Sequence, residues 1–231
     1  MARRQIRTLT PTELARVQQG ALVRIVDDDD SLRDALRFVL ETEGWRVADY
    51  RSANDFFRGD APSVPGCVVM DVRMPGLTGI EAQAVMNERG FSLPVIFLTG
   101  HGDIDMAVKT MKDGADDFLS KPVTPERLLD AIEKAVKRDA RIRTESAALE
   151  QARAAFRRLS AREQEVAMGV ARGLLNKQIA YELNISEKTV IAHRSSLCKK
   201  LGARTAADIT RMLMTIDPDA ITGAPAPADG E

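Results

Sequence analysis

Four short apolar runs in this chain of 231 residues each end at side chains suited to phosphoryl chemistry. The acids Asp27 to Asp30 follow Leu22 to Val26, Asp71 follows Cys67 to Met70, Thr99 follows Pro94 to Leu98, and Lys121 comes just after Phe118 and Leu119. A carboxylate can attack phosphorus as a nucleophile, provided that the charge gathering on the phosphoryl oxygens is neutralised. Further carboxylates can hold a hard divalent cation through oxygen, an ammonium supplies a compact positive charge, and a hydroxyl donates a hydrogen bond. Taken singly, none of these signals is specific. Consecutive aspartates are usually a solvated run or a helix cap, and Asp30 is expected to cap the helix that follows. The weight of the reading comes from four such positions recurring behind four apolar runs.

The runs are bounded by Gly, Pro and polar residues, as strands buried on both faces are, and amphipathic segments separate them. The pattern predicts strands at 22–27, 46–50, 66–71, 94–99 and 116–119, with helices at 31–43, 53–58, 79–88, 104–112 and 124–138. Strand and helix alternating at this pitch imply right-handed crossovers, and hence an α/β fold with a five-stranded, doubly wound parallel sheet. In such sheets ligands bind beyond the carboxyl ends of the strands, which is where the four polar positions fall. From Thr124 to Leu159 there is no Gly, and the one Pro, Pro125, suits a first helical turn. Ala135, Ile142, Leu149 and Phe156 recur every seventh residue, but Arg138 and Glu145 interrupt the seam, so residues 140–155 fit either a dimeric helical connector or a flexible tether.

The net charge of −1 hides two unlike halves. Residues 21–139 hold 15 Lys and Arg against 22 Asp and Glu, a net of −7, whereas residues 156–216 hold 11 against 5, a net of +6. The first balance suits a cation or phosphate site and the second a polyanion partner. Short helices are predicted at 160–172, 175–182, 186–201 and 205–214, with a tight turn at Leu183-Asn184-Ile185-Ser186 in which Ser186 caps the next helix. Together they read as an all-α helix-turn-helix unit whose second helix enters the major groove. Cys67 and Cys198 lie one in each half, which argues against a disulfide framework. With no apolar stretch long enough to span a bilayer, a cytoplasmic protein is expected. Residues 1–20 read as a short arm, with a helix start at Thr10-Pro11-Thr12-Glu13, and residues 217–231 as a disordered tail.

Residues 21–139 resemble a bacterial response-regulator receiver domain, of flavodoxin-like fold, in Val26-Asp27-Asp28-Asp29-Asp30, Met70-Asp71-Val72-Arg73-Met74-Pro75-Gly76, Leu98-Thr99-Gly100-His101-Gly102 and Ser120-Lys121-Pro122. The resemblance implies that Asp71 is the phosphoacceptor. It implies Mg2+ held directly by Asp28 and Asp71, through water by Asp27, and by the backbone carbonyl of Arg73. Lys121 and Thr99 would bind the phosphoryl oxygens, Phe118 would be the mobile aromatic of the switch, and Lys121-Pro122 would be cis. His101 and Arg73 occupy positions that influence phosphoryl lifetime in such domains, and no lifetime follows from them.

Residues 156–216 resemble the LuxR-type DNA-binding domain in Leu159-Ser160-Ala161-Arg162-Glu163, in Gly173 to Ala180, in Ile185 to Val190 and in His193-Arg194. The whole chain thus resembles the FixJ/NarL type of transcriptional regulator, with the FixJ side the nearer. That resemblance implies a sensor histidine kinase as donor, a homodimer when phosphorylated, and binding to double-stranded DNA rather than enzymatic turnover. The expected contacts are Asn176, Lys177, Lys188, Thr189, Ile191, Ala192, His193, Arg194, Ser195 and Lys199, with Ile191, Ala192 and Ser195 at base-reading positions and His193 either on a phosphate or supporting the turn. Ile191 departs from the pattern, because many relatives carry Lys there. Helix 205–214 is expected to show an apolar strip of Ala206, Ile209, Met212 and Leu213 for pairing. Two other readings are weaker: a phosphohydrolase of the haloacid dehalogenase type needs an acid where Arg73 stands, and a regulator independent of phosphorylation tends to lose an acid, the Thr or the Lys.

Overall fold

The computed structural model describes residues 11–100 and 115–217, which fall into two compact units that divide between Arg143 and Thr144. In the first unit the elements are α1 (Pro11–Gly20), β1 (Leu22–Val26), α2 (Asp30–Thr42), β2 (Arg46–Tyr50), α3 (Ala53–Gly59), β3 (Gly66–Asp71), α4 (Gly79–Glu88), β4 (Val95–Thr99) and β5 (Asp117–Ser120). Then α5 (Pro125–Arg157) begins. The sheet is parallel throughout, in the order β2-β1-β3-β4-β5. The predicted helix 104–112 and His101 lie outside the described residues, as do residues 1–10 and 218–231.

The period-two alternation of β3 explains why the sheet is covered on both sides. Cys67 and Val69 point into a core shared with Leu36 and Leu40 of α2 and Leu128, Ile132 and Val136 of α5. Val68 and Met70 point into a second core with Phe56 of α3 and Ala82 and Met86 of α4. Every residue of β3 is buried, as expected of a central strand in a doubly wound sheet.

One cap differs from expectation. The N-cap of α2 is Asp29, not Asp30: its Oδ1 accepts from the amides of Ser31 and Leu32 at 2.9 and 3.1 Å. Asp30 is the first helical residue, and its carboxylate pairs with the Arg33 guanidinium instead. A cap must stand in extended backbone two or three residues before the amides it serves, and Asp29 does so at φ −81° and ψ 106°.

Arg24 is the unexpected member of β1, being completely buried within what otherwise reads as an apolar run. Its Nε donates to Asp60 Oδ1 at 2.7 Å, Nη1 to the Leu22 carbonyl, and Nη2 to the carbonyls of Ala61 and Val64. A buried guanidinium is tolerable only when paired and hydrogen-bonded in this way. The same loop is held from α5, where Arg143 donates to the carbonyls of Pro62 and Ser63 and pairs with the buried Asp139, while Asp139 accepts the Gly66 amide at 2.9 Å. Helix α5 therefore grips the start of β3, and it continues unbroken through residues 140–155, so that segment is helical rather than a tether.

The second unit holds α6 (Ala161–Ala171), α7 (Asn176–Leu183), α8 (Glu187–Leu201) and α9 (Ala206–Ile216). Its core gathers Val166, Val170, Ile179, Val190, Leu197, Ile209 and Leu213. Gly169 lets α6 and α7 touch: a Cβ there would lie 2.8 Å from Ile179 Cγ1. Ile209 and Leu213 belong to this core, so of the expected strip on α9 only Ala206 stays exposed and Met212 half-buried, while Met214, which was not expected, is exposed. A short helix has a single wide face to give, and here the domain interior takes it. Among the described residues no helix is long and apolar enough to cross a membrane.

Candidate phosphoryl site and nucleic-acid interface

Strand register brings the four predicted positions to one rim. Val26 of β1 lies opposite Met70 of β3, so the residues that follow, Asp27 and Asp71, leave the sheet side by side. Asp71 lies opposite Leu98 of β4, and Thr99 lies opposite Ser120 of β5, which places Thr99 and then Lys121 along the same edge. The Lys121 amide donates to the Thr99 carbonyl at 2.6 Å, and the Lys121-Pro122 bond is cis.

The centre of this rim is an ammonium between two carboxylates. Lys121 Nζ lies 2.7 Å from Asp27 Oδ2 and 2.6 Å from Asp71 Oδ1, while both acids are nearly fully buried. The other oxygen of Asp71 accepts the Arg73 amide at 2.8 Å, and Asp27 Oδ1 accepts the Asp29 amide at 2.9 Å. Burial pushes the Asp71 carboxyl above its usual range, and the Asp27 charge adds to this, outweighing the pull of Lys121 and the Arg73 amide. Burial alone would lower the Lys121 ammonium, but its hydrogen bonds to Asp27 and Asp71 and their charges hold it above its ordinary value. Gly79 completes the enclosure, since a Cβ there would lie 2.2 Å from the Asp71 carbonyl oxygen, so only glycine lets α4 start so close to the site.

The predicted metal ligands are distributed unevenly. Asp27 and Asp71 converge, Asp28 is exposed on the next residue of the loop, and the Arg73 side chain points to solvent. Among the described residues no group of three or more His, Cys, Asp or Glu that could hold a metal ion is gathered, and Lys121 stands where the two buried carboxylates meet. The donors nevertheless suit a hard cation: all are oxygens, and two buried carboxylates face one ammonium. Thr99 is buried at the end of β4, and Phe118 is half-buried on β5 against the second core.

In the helical unit the predicted contact residues cluster on α7 and α8. The turn forms as expected, with Asn184 in the left-handed region at φ 52° and the Ser186 hydroxyl accepting the Thr189 amide at 3.1 Å. Val190 and Leu197 are buried, whereas Lys188, Ile191, Ala192, Ser195 and Lys199 are exposed. His193, Arg194 and Thr189 are half-buried. Two pairings were not expected: Arg194 Nη1 donates to Asn176 Oδ1 at 2.6 Å, and the Thr189 hydroxyl shares a 2.7 Å hydrogen bond with that of Ser186. Arg194, Asn176, Lys177 and Glu187 border a cavity of about 480 Å3. In the sequence Glu163 figures only as part of a motif, with no role of its own; its buried carboxylate accepts from Lys200, Ser196 and the Ser160 amide at 2.6–2.7 Å, fixing α8 to the start of α6. These partners, Lys200 foremost, hold it down at about 2. The spacing Ser160-x-x-Glu163 is a capping-box signal, but the reach to α8 is not local.

A parallel five-stranded sheet with acids, Thr and Lys on its carboxyl rim, joined to a helix-turn-helix unit, defines a receiver linked to a DNA-binding domain. Residues 23–133 match the response regulator receiver domain, and residues 157–213 match the bacterial regulatory proteins of the luxR family. The chain belongs to the two-component response regulators of this transcriptional type. Over 196 residues it is 42% identical to Nodulation protein W of Bradyrhizobium diazoefficiens, covering 85% of this chain and 86% of that protein. It is 38% identical over 192 residues to the transcriptional regulatory protein FixJ of Azorhizobium caulinodans, covering 83% and 91%. Among solved structures it resembles the response regulator StyR, with a TM-score of 0.77 at 41% identity over 84% of this chain and 98% of that one. It also resembles full-length FixJ from B. japonicum, with a TM-score of 0.53 at 37% identity over 85% and 97%.

Proposed function

We propose that Asp71 accepts a phosphoryl group from a sensor histidine kinase in the cytoplasm, and that the modified chain pairs with a second copy and binds adjacent promoter half-sites. The observation that carries this reading is the bridge of Lys121 between Asp27 and Asp71 at the carboxyl rim of the sheet. Transfer forms a bond from an Asp71 oxygen to phosphorus as the donor's phosphorus–nitrogen bond breaks, and the imidazole keeps that electron pair. Asp27, Asp28, Asp71 and the Arg73 carbonyl would hold Mg2+, which when bound neutralises charge on the phosphoryl oxygens. The product carries about two negative charges, to which the Lys121 ammonium and the Thr99 hydroxyl turn. Because the Lys121 amide is bonded to the Thr99 carbonyl, the ends of β4 and β5 respond together, and Phe118 on β5 moves with them.

On DNA, Lys177, Lys188, Arg194 and Lys199 neutralise phosphates, a term that is independent of sequence and sensitive to salt. Asn176 and Thr189 fix the helix-turn-helix geometry, and Ile191, Ala192 and Ser195 face the base edges, with His193 beside them. The test is Asp71→Asn treated with acetyl phosphate or the partner kinase. The variant should take no label, remain at the unphosphorylated oligomeric state and bind DNA no better for the treatment. Labelling and dimerisation equal to wild type would show that Asp71 is not the acceptor. Beryllofluoride that leaves oligomeric state and DNA affinity of the wild type unchanged would instead mark a regulator independent of phosphorylation.

A further inference from the structure

Among the described residues five large apolar side chains are strongly exposed: Phe38, Leu175, Tyr181, Ile191 and Met214. Ile191 is the one on α8, the helix assigned to the major groove, and it is 52% exposed. Its neighbours one turn away are the exposed Lys188 and Ser195 and the half-buried Arg194. The next residue, Ala192, is also exposed. An apolar pair thus stands in the middle of a face that is otherwise cationic and polar.

An isoleucine can neither donate nor accept a hydrogen bond. Of the features that base pairs present in the major groove, the one it can match is the C5 methyl of thymine. Against a G·C pair it would strip water from hydrogen-bonding base edges and return nothing. Its β-branched side chain is nearly fixed in χ1 on a helix, so little rotamer freedom is lost on contact. Arg194, meanwhile, is tied to Asn176 at the first turn of α7, so one of its donors is already engaged within the protein. We propose that Ile191 determines sequence specificity by packing on a thymine methyl, one per half-site, within a frame of phosphate contacts. This rests on the DNA-binding reading above.

The test uses the full-length protein activated with beryllofluoride. Duplexes are first selected from random sequence, and each thymine of the selected half-site is then replaced by deoxyuridine, which removes the methyl and keeps the base pair. At one position per half-site wild type should lose about three- to fivefold in affinity, the worth of one buried methyl-sized group. Ile191→Ala should lose the distinction between thymine and uracil there, and Ile191→Lys should select guanine at the same position, where an ammonium meets O6 and N7. The inference is overturned if no thymine is sensitive to the replacement, or if Ile191→Ala selects the wild-type sequence with wild-type discrimination. Wild type that selects no sequence at all above a salt-sensitive background would bring down the DNA-reading assignment itself, and this inference with it. Circular dichroism confirms that both variants keep their helices.

Discussion

Replacing Lys121 by methionine removes the ammonium that touches both Asp27 and Asp71 and leaves two buried carboxylates facing one another. Two unit charges about 5 Å apart at an effective dielectric of about 20 repel by about 3 kcal/mol. The Lys121 side chain is 24% exposed, so water enters where it stood and offsets part of this, leaving a net loss of about 1–3 kcal/mol. Trp45 is the single tryptophan of the chain and is buried in the core between the sheet and helices α2 and α5, so its fluorescence follows the receiver alone. With a urea slope of about 1–3 kcal/mol per molar, the variant's unfolding midpoint should fall by about 1 M at neutral pH. The Asp71 pKa lies above the ordinary value of 3.8 in the folded protein, so protonation there favours the fold, and the deficit should shrink as the pH falls toward that range. Millimolar Mg2+ should recover part of it. A midpoint equal to wild type at neutral pH, or a deficit that acid leaves unchanged, would refute the charge argument.

Glu163 has a folded pKa of about 2 against an ordinary 4.5, so its contribution to the helical unit is complete above pH 4.5 and is lost as the pH falls toward 2. Glu163→Gln should be less stable at neutral pH and should flatten the acid limb of a helix-monitored titration between those values. Gly169→Val should destabilise the same unit by about 1–3 kcal/mol through overpacking against Ile179, seen as an earlier unfolding transition in circular dichroism with Trp45 fluorescence unmoved.

Where sequence alone succeeded, the forces were local. Strands 46–50 and 66–71 and helix 79–88 agree with the structure to the residue, because Gly, Pro and a capping threonine punctuate the chain between them. The site was legible for the same reason: each polar residue follows a buried strand, and parallel register does the rest. What escaped was non-local. Arg24 hides in an apolar run because its partner, Asp60, lies 36 residues further on. The role of Asp139 depends on a loop 73 residues earlier. Ile209 and Leu213 looked like an exposed strip because helical periodicity shows which side of α9 is apolar but not what covers it. The shift of the cap from Asp30 to Asp29 shows the opposite limit, four identical side chains among which sequence cannot choose.

The clasp of Asp139 and Arg143 on the segment leading into β3 has a practical corollary for engineering. The receiver family match ends at residue 133, whereas the division between the compact units falls after Arg143. A fragment cut at the earlier point, or a chimera fused there, would leave the first amide of β3 and two loop carbonyls without their protein partners. Junctions for rewired sensors therefore belong beyond Thr144, where α5 no longer grips the sheet and foreign output modules can be spliced without unseating the strand that ends at Asp71.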